Sequence, residues 1–151
     1  MAIDHGTKKI GIAFCDEMEI ISSPYAVWPM EGDASVEKLA QLAKAESVQA
    51  ILVGLPLHKD GSESITAEPA KIFGRALAMR TGMNVEFINE HLTSSEARRL
   101  LAQKGVKPKD FGSRLDAAAA AVMLQEHIES RLAGRKSQNL RLGNPNGIFE
   151  V

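Results

Sequence analysis

Three carboxylates stand where alternating strands and helices would bring them together. Asp4 interrupts a short β-type run, Glu90 lies just past the apolar run from Val85 to Ile88, and Asp116 sits near the start of an alanine-rich stretch. An aspartate in a central strand carries a desolvation cost unless it is paired, hydrogen-bonded or bound to a cation. Ligand sites in α/β sheets collect at the carboxyl ends of the strands. Each acid also has an ordinary explanation: an edge-strand or turn aspartate for Asp4, a polar loop residue for Glu90, a favourable helix N-terminal charge for Asp116. Taken together, they would form an oxygen-only pocket suited to Mg²⁺ or Mn²⁺. A pair of such ions can activate water and stabilise a leaving oxygen in phosphodiester hydrolysis. Zinc fits less well, because His5, His58, His91 and His127 lack ligand spacing.

The elements that must position these acids are legible in the hydrophobic pattern. Met1 to Asp4 and Lys9 to Phe14 are β-type runs separated by His-Gly-Thr-Lys, which predicts a hairpin. A third extended segment runs from Glu19 to Trp28, with Pro24 pointing to a sheet edge. Val36, Leu39, Ala40, Leu42 and Ala43 have the spacing of an amphipathic helix over Asp33–Glu46, with Asp33 as its N-cap. Val48 to Val53 is a continuous apolar run, as a buried parallel strand would be, ending in Gly54-Leu55-Pro56. After a polar loop over His58–Ser62, a helix is predicted over Ile65–Thr81 with Gly82 as its stop. The next strand is Asn84–Ile88. Thr93-Ser-Ser-Glu96 has the capping-box pattern of a helix reaching Lys104, closed by Gly105. Ser113-Arg-Leu-Asp116 is expected to cap a last helix ending near Leu132. Residues 1–133 then form one domain, and residues 134–151 a basic, flexible tail.

Composition narrows the function classes. The chain has 151 residues, 44% hydrophobic and 25% charged, enough for one packed core and too apolar for a disordered chain. A single cysteine, Cys15, permits no internal disulfide, and neither a signal peptide nor a membrane-length apolar run is visible. A cytoplasmic location is expected. The formal net charge is −1, but it is unevenly spread. Up to Ser64 there are ten acids and five bases; beyond it, nine acids and thirteen bases. Arg98, Arg99, Lys104, Lys107, Lys109 and Arg114 share one short segment with a single aspartate. That distribution is compatible with a local polyanion-binding surface or with a solvated helix face. Few aromatics are available for base stacking.

Four blocks resemble a known family. They are Asp4-His-Gly-Thr-Lys-Lys-Ile-Gly11-Ile-Ala, Val53-Gly-Leu-Pro-Leu-His-Lys-Asp-Gly-Ser62, Asn89-Glu-His-Leu-Thr-Ser-Ser-Glu-Ala97 and Leu115-Asp-Ala-Ala-Ala-Ala-Ala-Val-Met-Leu-Gln125. In this order they look like the motifs of the YqgF/RuvX-type pre-16S rRNA nucleases, which are related in fold to Holliday junction resolvases. The likeness covers the chain to about residue 130. Three strands, helix, strand, helix, strand, helix, helix is also the element order of an RNase H-like fold, a mixed five-stranded α/β sheet with helices on both faces. The resemblance implies Asp4, Glu90 and Asp116 as catalytic, metal-binding acids. It implies a part in maturing the 5′ end of the small-subunit ribosomal RNA precursor. Where the family has Asp-Glu-Arg, this chain has Asn89-Glu90-His91. Histidine cannot clamp a phosphate bidentately, so phosphate contacts are expected from Thr7, Lys8, Lys9 and Arg98.

Three other readings fit some of the residues. A junction-resolving DNase of the same fold would need a dimer to present two sites symmetrically. A catalytically silent RNA-binding factor, acting on ribosomal precursor particles, would retain the scaffold without cleaving. The Asp-x-Gly-Thr hairpin also occurs in nucleotide-binding domains of the actin and sugar-kinase type. The sequence leaves open RNA against DNA and monomer against homodimer.

Overall fold

The computed structural model describes residues 1–56, 60, 62–65, 67–90 and 94–142, with backbone alone at 89, 90, 94, 95 and 135–142. Five strands form one sheet: β1 (Ala2–His5), β2 (Lys9–Cys15), β3 (Ser22–Pro29), β4 (Ala50–Pro56) and β5 (Asn84–Glu90). Their spatial order is β3-β2-β1-β4-β5. β1 is central, antiparallel to β2 and parallel to β4, which is in turn parallel to β5. The helices are α1 (Asp33–Ala45), α2 (Ala67–Thr81), α3 (Ser94–Gln103) and α4 (Leu115–Leu142), with a short 3-10 turn at Pro108–Asp110. This is the mixed five-stranded RNase H-like architecture that the element order predicts.

Strand alternation splits the core into two layers. Ile3, Ile10, Ile12, Ile51 and Val53 point to one face, where they pack with Leu39 of α1 and Phe73 and Leu77 of α2. Ala2, Ala13 and Leu52 point to the other, under Ala120, Ala121 and Leu124 of α4. The small residues of β1 and β2 on that second face let the α4 backbone come close to the sheet. α3 lies against α4 through Ala97, Leu101 and Ala118.

The β1–β2 hairpin closes as expected, with the Gly6 N–H donating to the Lys9 carbonyl at 2.9 Å. β3 is an edge strand and accommodates Pro24. Gly82 and Gly105 follow α2 and α3 with positive φ values of 69° and 80°, the left-handed stops that glycine permits.

Several boundaries differ from the sequence reading. Asp33 is the first residue of α1 rather than its cap; Gly32 holds the cap position, and the Ser35 hydroxyl accepts the Glu31 N–H. The apolar run at Val48 begins before its strand because Val48 closes α1 instead. Ser47 adopts φ 54° and the Val48 N–H reaches back to the Ala43 carbonyl, a Schellman-type ending with its hydrophobic residue. Gly54-Leu55-Pro56 continues β4 rather than turning after it. The Ser113 hydroxyl donates to the Asp110 carbonyl, so it serves the preceding turn. α4 continues ten residues beyond Leu132, through Gly134, to Leu142. One interior glycine costs about 1 kcal/mol, and the Arg, Lys, Gln and Leu around it are good helix formers. Residues 143–151, most of the loop at 57–61 and Thr93 of the capping box lie outside the described residues.

Candidate active site at the carboxyl edge of the sheet

Asp4 is the third residue of β1 and pairs with Gly11 of β2. Strand alternation gives it the parity of Ala2, on the face that α4 covers. Gly11 is where α4 meets the sheet: a β-carbon built there would lie 2.0 Å from the Asp116 carbonyl oxygen and 2.7 Å from the Ala117 nitrogen. Only glycine allows the first turn of α4 to rest on β2 so closely. The backbone of Asp116 therefore lies against the residue paired with Asp4. Both acids are half-buried.

Glu90 belongs to β5, as its last residue, rather than to the loop beyond it. Its backbone is in register with Pro56 of β4, while Ile3 of β1 is in register with Val53. All three elements thus deliver their acid at or near one edge, β1 and β5 by their carboxyl ends and α4 by its start. The Glu90 side chain, with His91, lies outside the described residues. Among the described residues, no three His, Cys, Asp or Glu side chains form a group able to hold a metal ion.

Thr7, Lys8 and Lys9 occupy the exposed β1–β2 turn at this same edge. Arg98 and Arg99 of α3 are exposed, as are Lys104, Lys107, Lys109 and Arg114 in the connection to α4. Among the described residues none of these six cations is ion-paired. His5, beside Asp4, packs against the Phe73 ring at 4.9 Å between centroids. Burial disfavours its charged form and holds its pKa below the usual imidazole value.

A cavity of about 710 Å³ opens at the opposite edge, beside Met1, Ala50 and Asn84, where the parallel strands begin. Its charged lining includes Asp16, Glu17, Glu19, Glu46 and Glu86 against Arg131. Such a lining repels a polyanion, so size alone does not make it the nucleic-acid site. His127 lies there, 3.6 Å from Glu86.

Sequence reasoning gave no role to Ser22 and Gln125. The Ser22 N–H donates to Gln125 Oε1 at 2.8 Å, the Ser22 hydroxyl donates to the Ala121 carbonyl, and Gln125 Nε2 donates to the Ile20 carbonyl. This clamp fixes α4 across the sheet and so fixes where Asp116 stands. No local signal marks it, because the partners are about a hundred residues apart.

Residues 1–130 match the family model described as RuvX, Holliday junction resolvase. The chain belongs to the RuvX family. Among its relatives is a protein of Rhodopirellula baltica named "Putative pre-16S rRNA nuclease", 36% identical over 133 residues that cover 85% of this chain and 75% of the relative. Another, of the same name, from Anaeromyxobacter, is 34% identical and covers 88% of this chain and 98% of its own length. Solved structures confirm the fold of this RuvX chain. Thermus thermophilus RuvC aligns with a TM-score of 0.54 at 13% identity, over 87% of this chain and 94% of that one. Fowlpox virus resolvase bound to Holliday junction DNA aligns with a TM-score of 0.52 at 14% identity, over 86% and 96%. Among the described residues no helix is long and apolar enough to cross a membrane.

Proposed function

We propose that this RuvX chain is a nuclease that hydrolyses phosphodiester bonds of the small-subunit ribosomal RNA precursor, acting in the cytoplasm on its 5′ end. The observation that carries the reading is the meeting of β1, β2 and α4 at Gly11, which sets Asp4 and Asp116 on one edge beside exposed cations. The names of the relatives supply the substrate.

The donor set is oxygen only and sits on a strand and a helix start that pack directly together, which fits a hard divalent cation. Asp4, Glu90 and Asp116 would hold it, with Mg²⁺ or Mn²⁺ as the ion. Such a cation, when bound, lowers the pKa of water and offsets charge on a departing oxygen. Lys8 and Lys9 offer positive charge to the backbone phosphates next to the scissile bond, and the Thr7 hydroxyl offers a hydrogen bond. Arg98 neutralises a phosphate farther along the strand.

The test is cleavage of a 5′-extended small-subunit rRNA precursor with Mg²⁺, with Mn²⁺ and with EDTA, using the wild type and Asp4→Asn. Metal-dependent cutting that the variant loses while retaining its fold supports the reading. Full activity in Asp4→Asn removes Asp4 from the site. Binding without cleavage by the wild type under every condition replaces the nuclease by an RNA-binding assembly factor, and Asn89→Asp is then the first reversion to make.

A second reading is favoured by the description of the family model: a junction-resolving DNase. A four-way DNA junction in the same assay separates the two. Cutting of the junction alone, at symmetric positions, selects the resolvase.

A further inference from the structure

The cavity beside Met1, Ala50 and Asn84, at about 710 Å³, is large enough to enclose several side chains of a partner. Its floor is apolar. Leu52, Leu124 and Ile128 are buried there, flanked by half-buried Phe14 and Val48. Its rim is acidic: Asp16, Glu17, Glu46 and Glu86 are exposed around it, and Glu19 is half-buried. The positive groups of the lining are already engaged. Arg131 stands 3.7 Å from Glu19, His127 stands 3.6 Å from Glu86, and the Met1 amino group donates to the Ala50 carbonyl at 3.2 Å. Among the described residues Asp16, Glu17 and Glu46 have no ion pair, so their charges stand unanswered beside an apolar floor.

From this pairing of rim and floor we infer that the cavity docks a Lys/Arg-rich segment of a partner protein, with bulky apolar residues between its basic ones. A single metal ion does not fit, because no three of the described His, Cys, Asp or Glu side chains form a group able to hold one. The negative charge is instead spread along the rim, which suits cations spaced along a chain. An aliphatic polyamine would answer that charge but would leave the adjoining turn bare. In that turn Met18 and Ile20 alternate with Glu17 and Glu19, and they are 74% and 48% exposed. A peptide segment covers them while its apolar side chains enter the cavity and its charged heads stay at the wet rim.

The cavity lies at the opposite edge of the sheet from Asp4, so nucleic acid at one edge leaves the other accessible. The inference does not depend on the nuclease reading.

The test is fluorescence anisotropy of a labelled nonapeptide of alternating lysine and leucine, titrated with the full chain at about 0.15 M salt. The contact is smaller than a standard interface, so a dissociation constant in the micromolar range is expected. Glu17 and Glu46 are exposed, so the double variant Glu17→Lys, Glu46→Lys stays folded by circular dichroism. It should raise the dissociation constant roughly thirtyfold or more. Glu31→Lys with Glu68→Lys makes the same change in net charge at exposed positions outside the cavity. It should shift the constant by less than about threefold. The same peptide with serine in place of leucine should bind at least about tenfold more weakly. No binding of the lysine–leucine peptide at about 1 mM chain overturns the proposal. So does an equal loss in both double variants, which would mean attraction by net charge alone. A serine peptide that binds as tightly, and is displaced by equimolar spermine, replaces the peptide site by a polyamine site.

Discussion

Gly11 of β2 and Asp116 of α4 are in backbone contact, with the Asp116 carbonyl oxygen occupying the space that a Gly11 β-carbon would need. Gly11 is at the same time the cross-strand partner of Asp4. A residue with no side chain thus sets the separation between two of the three acids. Gly11→Ala should push α4 off β2, destabilise the fold by about 1–3 kcal/mol as an overpacked site does, and abolish cleavage. Gly112→Ala, where a β-carbon meets nothing within 4 Å, should change neither. Urea denaturation and the precursor-cleavage assay, run on both variants, check the pair.

The cations of α3 and its connection to α4 should bind nucleic acid through phosphate. Replacing Arg98, Arg99 and Lys104 together by Ala should weaken binding across sequences. It should also flatten the salt dependence by about one slope unit for each phosphate that is no longer neutralised. Fluorescence anisotropy of a labelled RNA at several salt concentrations measures it. An unchanged slope would mean that these three cations are only a solvated face.

Gln125 holds α4 to the start of β3 with two hydrogen bonds. Gln125→Leu strands the partly buried Ser22 N–H and should cost about 1–3 kcal/mol. The readout is the urea midpoint, and a shift within experimental error would mean that another acceptor replaces the amide oxygen.

The Asp16 carboxylate accepts hydrogen bonds from the Ile21 and Ile20 N–H groups, which hold its pKa below the ordinary 3.8. Because the folded value is depressed, its contribution to stability is fully present above pH 3.8 and is lost as pH falls through the lower, folded value. The amide shifts of Ile20 and Ile21, followed by NMR, should therefore titrate with a midpoint below 3.8. In Asp16→Asn that titration should vanish.

The parts of the fold that sequence reveals are those whose cause is local. Gly6 in the hairpin, Gly82 and Gly105 after their helices, and the apolar run of β4 each act within a few residues of the feature they dictate. Ser47 misleads because its left-handed conformation carries no sequence mark, so Val48 passes for strand when it ends a helix. The site is legible by residue type, since carboxylates near strand ends and a helix start suggest one chemistry. What brings Asp4 and Asp116 onto one edge is not legible. Gly11 and Asp116 are distant in sequence, as are Ser22 and Gln125, and no periodicity records a contact between a strand and a helix that crosses the sheet a hundred residues later.

The two edges of the sheet differ in charge pattern: Lys8, Lys9 and Arg114 stand exposed near the Asp4 edge, whereas Asp16, Glu17, Glu19, Glu46 and Glu86 line the far cavity. With a formal net charge of −1, the molecule as a whole is almost indifferent to a distant polyanion. Local charge therefore matters more than net charge: a nucleic acid meets carboxylates at the cavity and exposed cations at the hairpin turn. The end of the sheet at which a polyanion docks is thus set by a few side chains, not by the charge of the chain as a whole.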